Sequence, residues 1–188
     1  MKKQMIKIVL GLFVFATLLS GCKKEKDEED NDEEVITTMR LTFLPTGGGA
    51  AVTYQFDDAD GPGGNAATQD EIVLAPQKQY TVTVQLLNKT ATPVEDITVE
   101  VANEPDAHRF YYEPAAGSNI SVSGLNTDGN GVPLGITSNW TTAAAATGKV
   151  KVTLRHYAGT PPGKAIADPV NSSKSSTDIE VDFNTRIQ

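Results

Sequence analysis

From Val35 to Phe183, apolar residues recur at every second position in one short run after another, the period of strands with one buried face. Val35, Met39, Leu41 and Phe43 share one side, with Thr38, Arg40 and Thr42 on the other. Val52, Tyr54 and Phe56 alternate with Thr53 and Gln55, and Tyr80, Val82, Val84 and Leu86 with Thr81, Thr83 and Gln85. Ile120 and Val122 follow, then Val150, Val152 and Leu154, and finally Ile179, Val181 and Phe183 between Asp178, Glu180 and Asp182. Turn formers separate the runs: "TGGGA", "DADGPGGN", "NTDGNG" and "AGTPPGK". Residues 35–188 are enough to bury a core without disulfides. Packing two such alternating faces together predicts an immunoglobulin-like antiparallel β-sandwich of about seven to nine strands.

One stretch fits two periods. In "TPVEDITVEVANEP", Thr92, Pro93 and Glu95 match an N-cap, a first-turn proline and a capping-box glutamate. Val94, Ile97 and Val101 then lie on one helical face before Pro105, which predicts a short helix over residues 93–103. Ile97, Val99 and Val101 would suit a strand equally well. The last two strands carry opposite charge on their wet faces: Lys149, Lys151 and Arg155 on one, Asp178, Glu180 and Asp182 on the other. Paired antiparallel, they match in sign across the ladder, so they are expected to be neighbours. Exposed ion pairs of this kind favour register more than stability.

Ahead of the strands stand a leader and a run of charge. Lys2, Lys3 and Lys7 precede the apolar stretch Ile8–Leu19, and Ser20 and Gly21 follow it, the pattern of a signal peptide over residues 1–21. A helix of ~12 residues spans roughly 18 Å, too short for a hydrocarbon core of about 30 Å. Leu19-Ser20-Gly21-Cys22 resembles the lipobox of bacterial lipoproteins. The resemblance implies cleavage before Cys22, diacylglycerol on its thiol and acylation of the new N-terminus. Two or more acyl chains anchor stably where one does not. Cys22 is the only cysteine, so a disulfide framework and a thiolate metal cluster are excluded.

Residues 23–34 hold eight acidic side chains, three lysines, one asparagine and nothing apolar, which predicts a solvated linker over residues 22–34. Lys26-Asp27-Glu28-Glu29 resembles the short lysine-plus-acid stretches that export Bacteroidetes lipoproteins to the outer face of the outer membrane. The expected location is therefore the outer membrane, lipid-anchored and surface-exposed, with a periplasm-facing anchor as the other possibility. The net charge of −8 disfavours a nucleic-acid partner, which wants a basic stripe.

"EEVITTMRLTF", "TPVEDITVEV", "DAHRFYY", "TDGNGVPLG", "TTAAAATGKVKVTLRH" and "STDIEVDF" together resemble a family of small Bacteroidetes lipoproteins, some labelled "type 1 periplasmic binding fold superfamily protein". The resemblance runs from the leader nearly to the C-terminus and implies a class and an address. A two-lobed periplasmic binding architecture needs strands alternating with helices, whereas the runs here follow one another as strands.

Candidate sites are few. Asn126, Asp128 and Asn130 place oxygen donors at alternate positions before Gly131, the opening of a calcium loop, but Thr137 stands where the bidentate glutamate belongs. Asp58 and Asp60 form a weaker version interrupted by Pro62. Tight turns favour the same residues. Trp140, the single tryptophan, is either a core residue or an exposed stacking platform for a sugar ring. His156 is in phase with Val150, Val152 and Leu154 and is expected to cap a core strand; His108 opens the aromatic strand "RFYY". No nucleophile elbow, paired histidine ligands or phosphate loop accompanies either, so no catalytic residue and no cofactor are expected beyond possible calcium. The reading is a non-enzymatic envelope domain that binds an envelope protein or a glycan, or serves a structural role. A carbohydrate-binding accessory module and a glycan hydrolase are the rival readings.

Overall fold

The computed structural model describes residues 34–188, so the leader, Cys22 and Lys26, Asp27, Glu28 and Glu29 lie outside the described residues. Among the described residues eleven strands and one helix follow in order: β1 (Thr38–Pro45), β2 (Val52–Asp57), β3 (Thr68–Gln69), β4 (Ile72–Leu74), β5 (Gln79–Asn88), β6 (Glu95–Asp96), α1 (Ile97–Asn103), β7 (His108–Pro114), β8 (Ile120–Ser123), β9 (Thr137–Thr142), β10 (Ala146–Tyr157) and β11 (Ser175–Ile187). They form two sheets, a β-sandwich. The larger runs β3-β2-β1-β5-β9-β8, with β6 also on β5; the smaller runs β4-β11-β10-β7. Pairing is antiparallel except for β4 against β11, which is parallel.

The strand count exceeds the expected seven to nine because β3, β4 and β6 are only two or three residues long. Runs that short carry no legible period. β9 is a true omission: "TSNWTT" reads as polar, yet Ser138, Trp140 and Thr142 are its buried face. The long runs behave as their alternation requires. Met39, Leu41 and Phe43 of β1, Val82, Val84 and Leu86 of β5, Val150, Val152 and Leu154 of β10, and Val181 and Phe183 of β11 meet between the sheets. Val35 and Val52 are instead exposed. Val35 precedes the first strand, and Val52 opens β2, near the edge of a seven-stranded sheet that four strands cannot wholly cover.

The helix is present but starts later than the capping signals indicate. Asp96, not Thr92, is the N-cap, and its carboxylate accepts from the Thr98 amide. Glu95 and Asp96 are held against Leu87 and Asn88 of β5, so sheet pairing takes the residues that would have formed the first turn. Ile97 and Val101 are buried as a helical stripe predicts, while Val94 lies outside the helix and is exposed.

β10 and β11 are neighbours. Lys151 stands opposite Asp182, and its ammonium reaches diagonally to Glu180 Oε1 at 2.6 Å. The ladder slips between Leu154 and Arg155: Leu154 pairs with Ile179, but Arg155 pairs with Thr177. Asp178 is the extra residue, a β-bulge that re-aims its side chain. Residues 158–174 link these two strands and pack on the outer face of β7. There the Arg109 guanidinium, stacked 4.4 Å over the Tyr111 ring, donates to the carbonyls of Ala165, Ile166 and Asp168. The backbone edge of β7 is met by the segment before β9, where the Phe110 amide donates to Leu134 O, which removes a template for unwanted pairing.

Candidate metal centre

At one end of the sandwich the core face of the smaller sheet changes from hydrocarbon to imidazole. Phe110 of β7 pairs with Leu154 of β10, and the next inward pair is His108 with His156. Their rings stack with centroids 4.6 Å apart. Glu34, just ahead of β1, reaches in from the larger sheet, and Asp178 comes from the bulge in β11. One donor atom from each of Glu34, His108, His156 and Asp178 lies within 4.8 Å of every other.

Hydrogen bonding sets the tautomer of His108. Its Nδ1 lies 3.1 Å from Glu104 O at the end of α1, and a carbonyl only accepts, so Nδ1 carries hydrogen. Nε2 then faces Glu34 Oε1 at 2.7 Å. A nitrogen lone pair against a carboxylate at that distance is repulsive, so something positive must lie between them. In the metal-free chain it is a proton, giving an imidazolium–carboxylate pair. The His108 side chain is fully buried and that of Glu34 is 6% exposed. Burial alone would lower the His108 pKa, but the Glu34 carboxylate outweighs it and holds the imidazole above its usual range. Burial likewise pushes the Glu34 carboxyl up, and His108 overrides it, leaving the carboxyl below its usual range.

These directions define a pH window. The raised imidazole contributes stability that is complete below about 6.5 and is lost as pH rises through its folded value. The depressed carboxyl contributes stability that is complete above about 4.5 and is lost as pH falls through its folded value. His156 and Asp178, from β10 and β11, face the same pair. The stability gap between the native metal-free chain and Glu34→Gln is expected to peak between those limits and shrink on both sides, as read by thermal melting. A gap that does not vary with pH would mean that the pair is not ionised.

Glu34 was expected in the solvated linker; its side chain is instead buried against His108. His156 does sit at the end of a core strand. What sequence reasoning missed is that His108 occupies the matching position on the adjacent strand. The available signal was phase: each histidine continues the inward face of its strand. Strand pairing was needed to bring them together. Asp178 read as wet-face because the bulge leaves no mark in the sequence.

The expected calcium loop is served internally. Asp128 Oδ1 accepts from the amides of Asn130 and Val132, and Oδ2 lies 2.9 Å from the Lys164 ammonium. Asn126 Oδ1 accepts from the Thr137 amide, and Gly131 turns the chain with φ +79°. Lys164 also donates to the carbonyls of Pro105, His108 and Pro133. A lysine thus occupies the cation's place and fastens the turn that carries His108. The Asp60 carboxylate in the other loop is bound to the backbone and side-chain amides of Asn65. Trp140 is no stacking platform: it is wholly buried, with its indole N–H on Ser138 Oγ.

Beside the histidines lies a cleft of about 540 Å³, lined by His156, Glu104, Asp106, Gly159 and Thr160 among others. No family model, curated protein or solved structure matches the chain.

Proposed function

We propose that this protein is a lipid-anchored domain of the bacterial envelope, held in the outer membrane through Cys22, exposed at the cell surface, and serving a non-catalytic binding or structural role. The observation that carries the reading is the junction at Glu34. The acid run that begins after Cys22 ends on a residue folded into the sandwich, beside the cleft. Twelve residues extend at most ~40 Å, so the cleft end of the domain stays near the bilayer that the acyl chains enter. The acidic surface repels phosphate backbones, which leaves an envelope protein or a glycan as partner.

Neither rival reading gains support. Trp140 is interior, so a carbohydrate module would need a different stacking residue. A glycan hydrolase needs carboxylates that reach a sugar. Glu34 Oε2 and both carboxylate oxygens of Asp178 are closed to solvent, so a hydrolase would have to use Glu104 and Asp106 on the cleft wall.

Surface proteolysis of intact cells beside a Cys22→Ser variant tests the proposal. The native chain should fractionate with membrane and be shaved from outside, and the variant should appear in the soluble fraction. A membrane-bound Cys22→Ser chain would remove the anchor, and a protected native chain would place the domain on the periplasmic side.

A further inference from the structure

We propose that Glu34, His108, His156 and Asp178 bind one divalent transition-metal ion of the zinc class, and that the ion clamps the end of the tether to the sandwich. The inference does not depend on lipidation of Cys22; it stands on the donor set and its surroundings.

Two imidazoles and two carboxylates converge from four separate stretches of chain, with their donor atoms within 4.8 Å of one another. A tetrahedral zinc with ligands at about 2.0–2.2 Å needs its donors roughly 3.3 Å apart. The wider separations, up to 4.8 Å, must close by as much as about 1.5 Å, and the Glu34–His108 contact of 2.7 Å must open as the ion takes the proton's place. Side-chain rotation at a strand end and a bulge can supply such shifts. Two carboxylates balance the charge of a divalent ion, which a site this buried requires.

Nitrogen donors decide the class of metal. Calcium and magnesium take oxygen ligands, whereas imidazole with carboxylate suits zinc and its first-row neighbours. The second shell is in place, because Glu104 O already orients His108 through Nδ1 and leaves Nε2 as the donor.

An independent observation points to a ligand. Glu34 Oε2 belongs to a side chain only 6% exposed and has no hydrogen-bond partner among the described residues, and the same holds for the buried His156 Nδ1. Buried polar atoms are rarely left so, since each loses its hydration without replacement. The internal ion pair uses one oxygen of Glu34 and one nitrogen of His108; it does not explain why His156 and Asp178 converge on the same point. The cleft gives an ion a route in, with His156 on its wall.

The clamp follows from where the ligands sit. Glu34 is the last residue of the acid run, and the other three belong to the sandwich. Metal loading would tie Glu34 to β7, β10 and β11, and metal removal would leave its side chain on His108, with Thr37 still bonded to Leu87.

The test uses the full chain in detergent, stripped with a chelator and titrated with zinc chloride against a chromophoric zinc indicator. One equivalent should bind with submicromolar affinity. His156→Ala and the near-isosteric Asp178→Asn should each weaken it about a hundredfold or more. Cobalt chloride should give the intense visible absorption of a four-coordinate ion. Hydrogen exchange at residues 35 and 36 should slow with zinc in the native chain and not in Glu34→Gln, whereas the Thr37 amide is already bonded to Leu87 O. Cooperative melting of the metal-free variants checks that they fold. Absence of saturable binding at one equivalent, or binding that survives both substitutions because zinc sits on the acid run, overturns the site. Tight binding with unchanged exchange at residues 35 and 36 overturns the clamp.

Discussion

Replacing Lys164 by methionine is expected to destabilise the domain by about 3–5 kcal/mol, because it strands a buried carboxylate. The Lys164 and Asp128 side chains are each only 2% exposed, and their charged atoms are 2.9 Å apart. Methionine keeps the apolar stem but offers no charge to Asp128 Oδ2 and no donor to the carbonyls of Pro105, His108 and Pro133. For a domain of this size the loss corresponds to a fall in melting temperature of roughly 10 °C or more. Asp128→Asn, which still accepts the amides of Asn130 and Val132, should also be costly because the ammonium is then unpaired. Combined with Lys164→Met it should cost well under the sum of the two. Acid should narrow the native-to-variant gap. Burial alone would raise the Asp128 carboxyl, but Lys164 and the two amides hold it below its ordinary 3.8, so its contribution is lost as pH falls through that depressed value. A Lys164→Met chain that melts within about 2 °C of native would show that the pair is dispensable.

Trp140→Ala should be comparably severe, about 3–5 kcal/mol, by the cost of truncating a large buried aromatic. The indole is wholly buried and stands edge-on to Phe43 at 5.1 Å in its own sheet and to Tyr112 at 5.8 Å in the facing one. It therefore fills space between the sheets, and its removal takes a ring contact from each of them. Trp140→Phe should recover part of the loss by refilling volume, while leaving Ser138 Oγ without its donor. Urea unfolding measures both. A Trp140→Ala loss under about 1 kcal/mol would contradict this packing account.

The two substitutions fall on residues that sequence reasoning handled differently. Trp140 was weighed between core and surface, and its burial follows from Ser138 and Thr142 sharing its face of β9, a strand too polar to recognise. Asp128 was placed correctly in a tight turn rich in oxygen donors. Its cation is a lysine 36 positions along the chain, which no local spacing could indicate. The helix illustrates the same limit: the apolar stripe at Ile97 and Val101 was legible, while its start was moved to Asp96 by the pairing of Glu95 and Asp96 with β5.

By itself the sequence determined that this domain is built of strands and which side chains of β1, β5, β10 and β11 turn inward. Side-chain direction along a strand alternates by covalent geometry, so a run of eight residues carries that information within itself. Only the tertiary structure decided that Glu34 leaves the acid run, that His108 stands beside His156, and that a bulge turns Asp178 to join them. Pairing, register and bulges are settled by contacts between residues as far apart as 34 and 108, and contacts across such a distance leave no periodic trace in either segment.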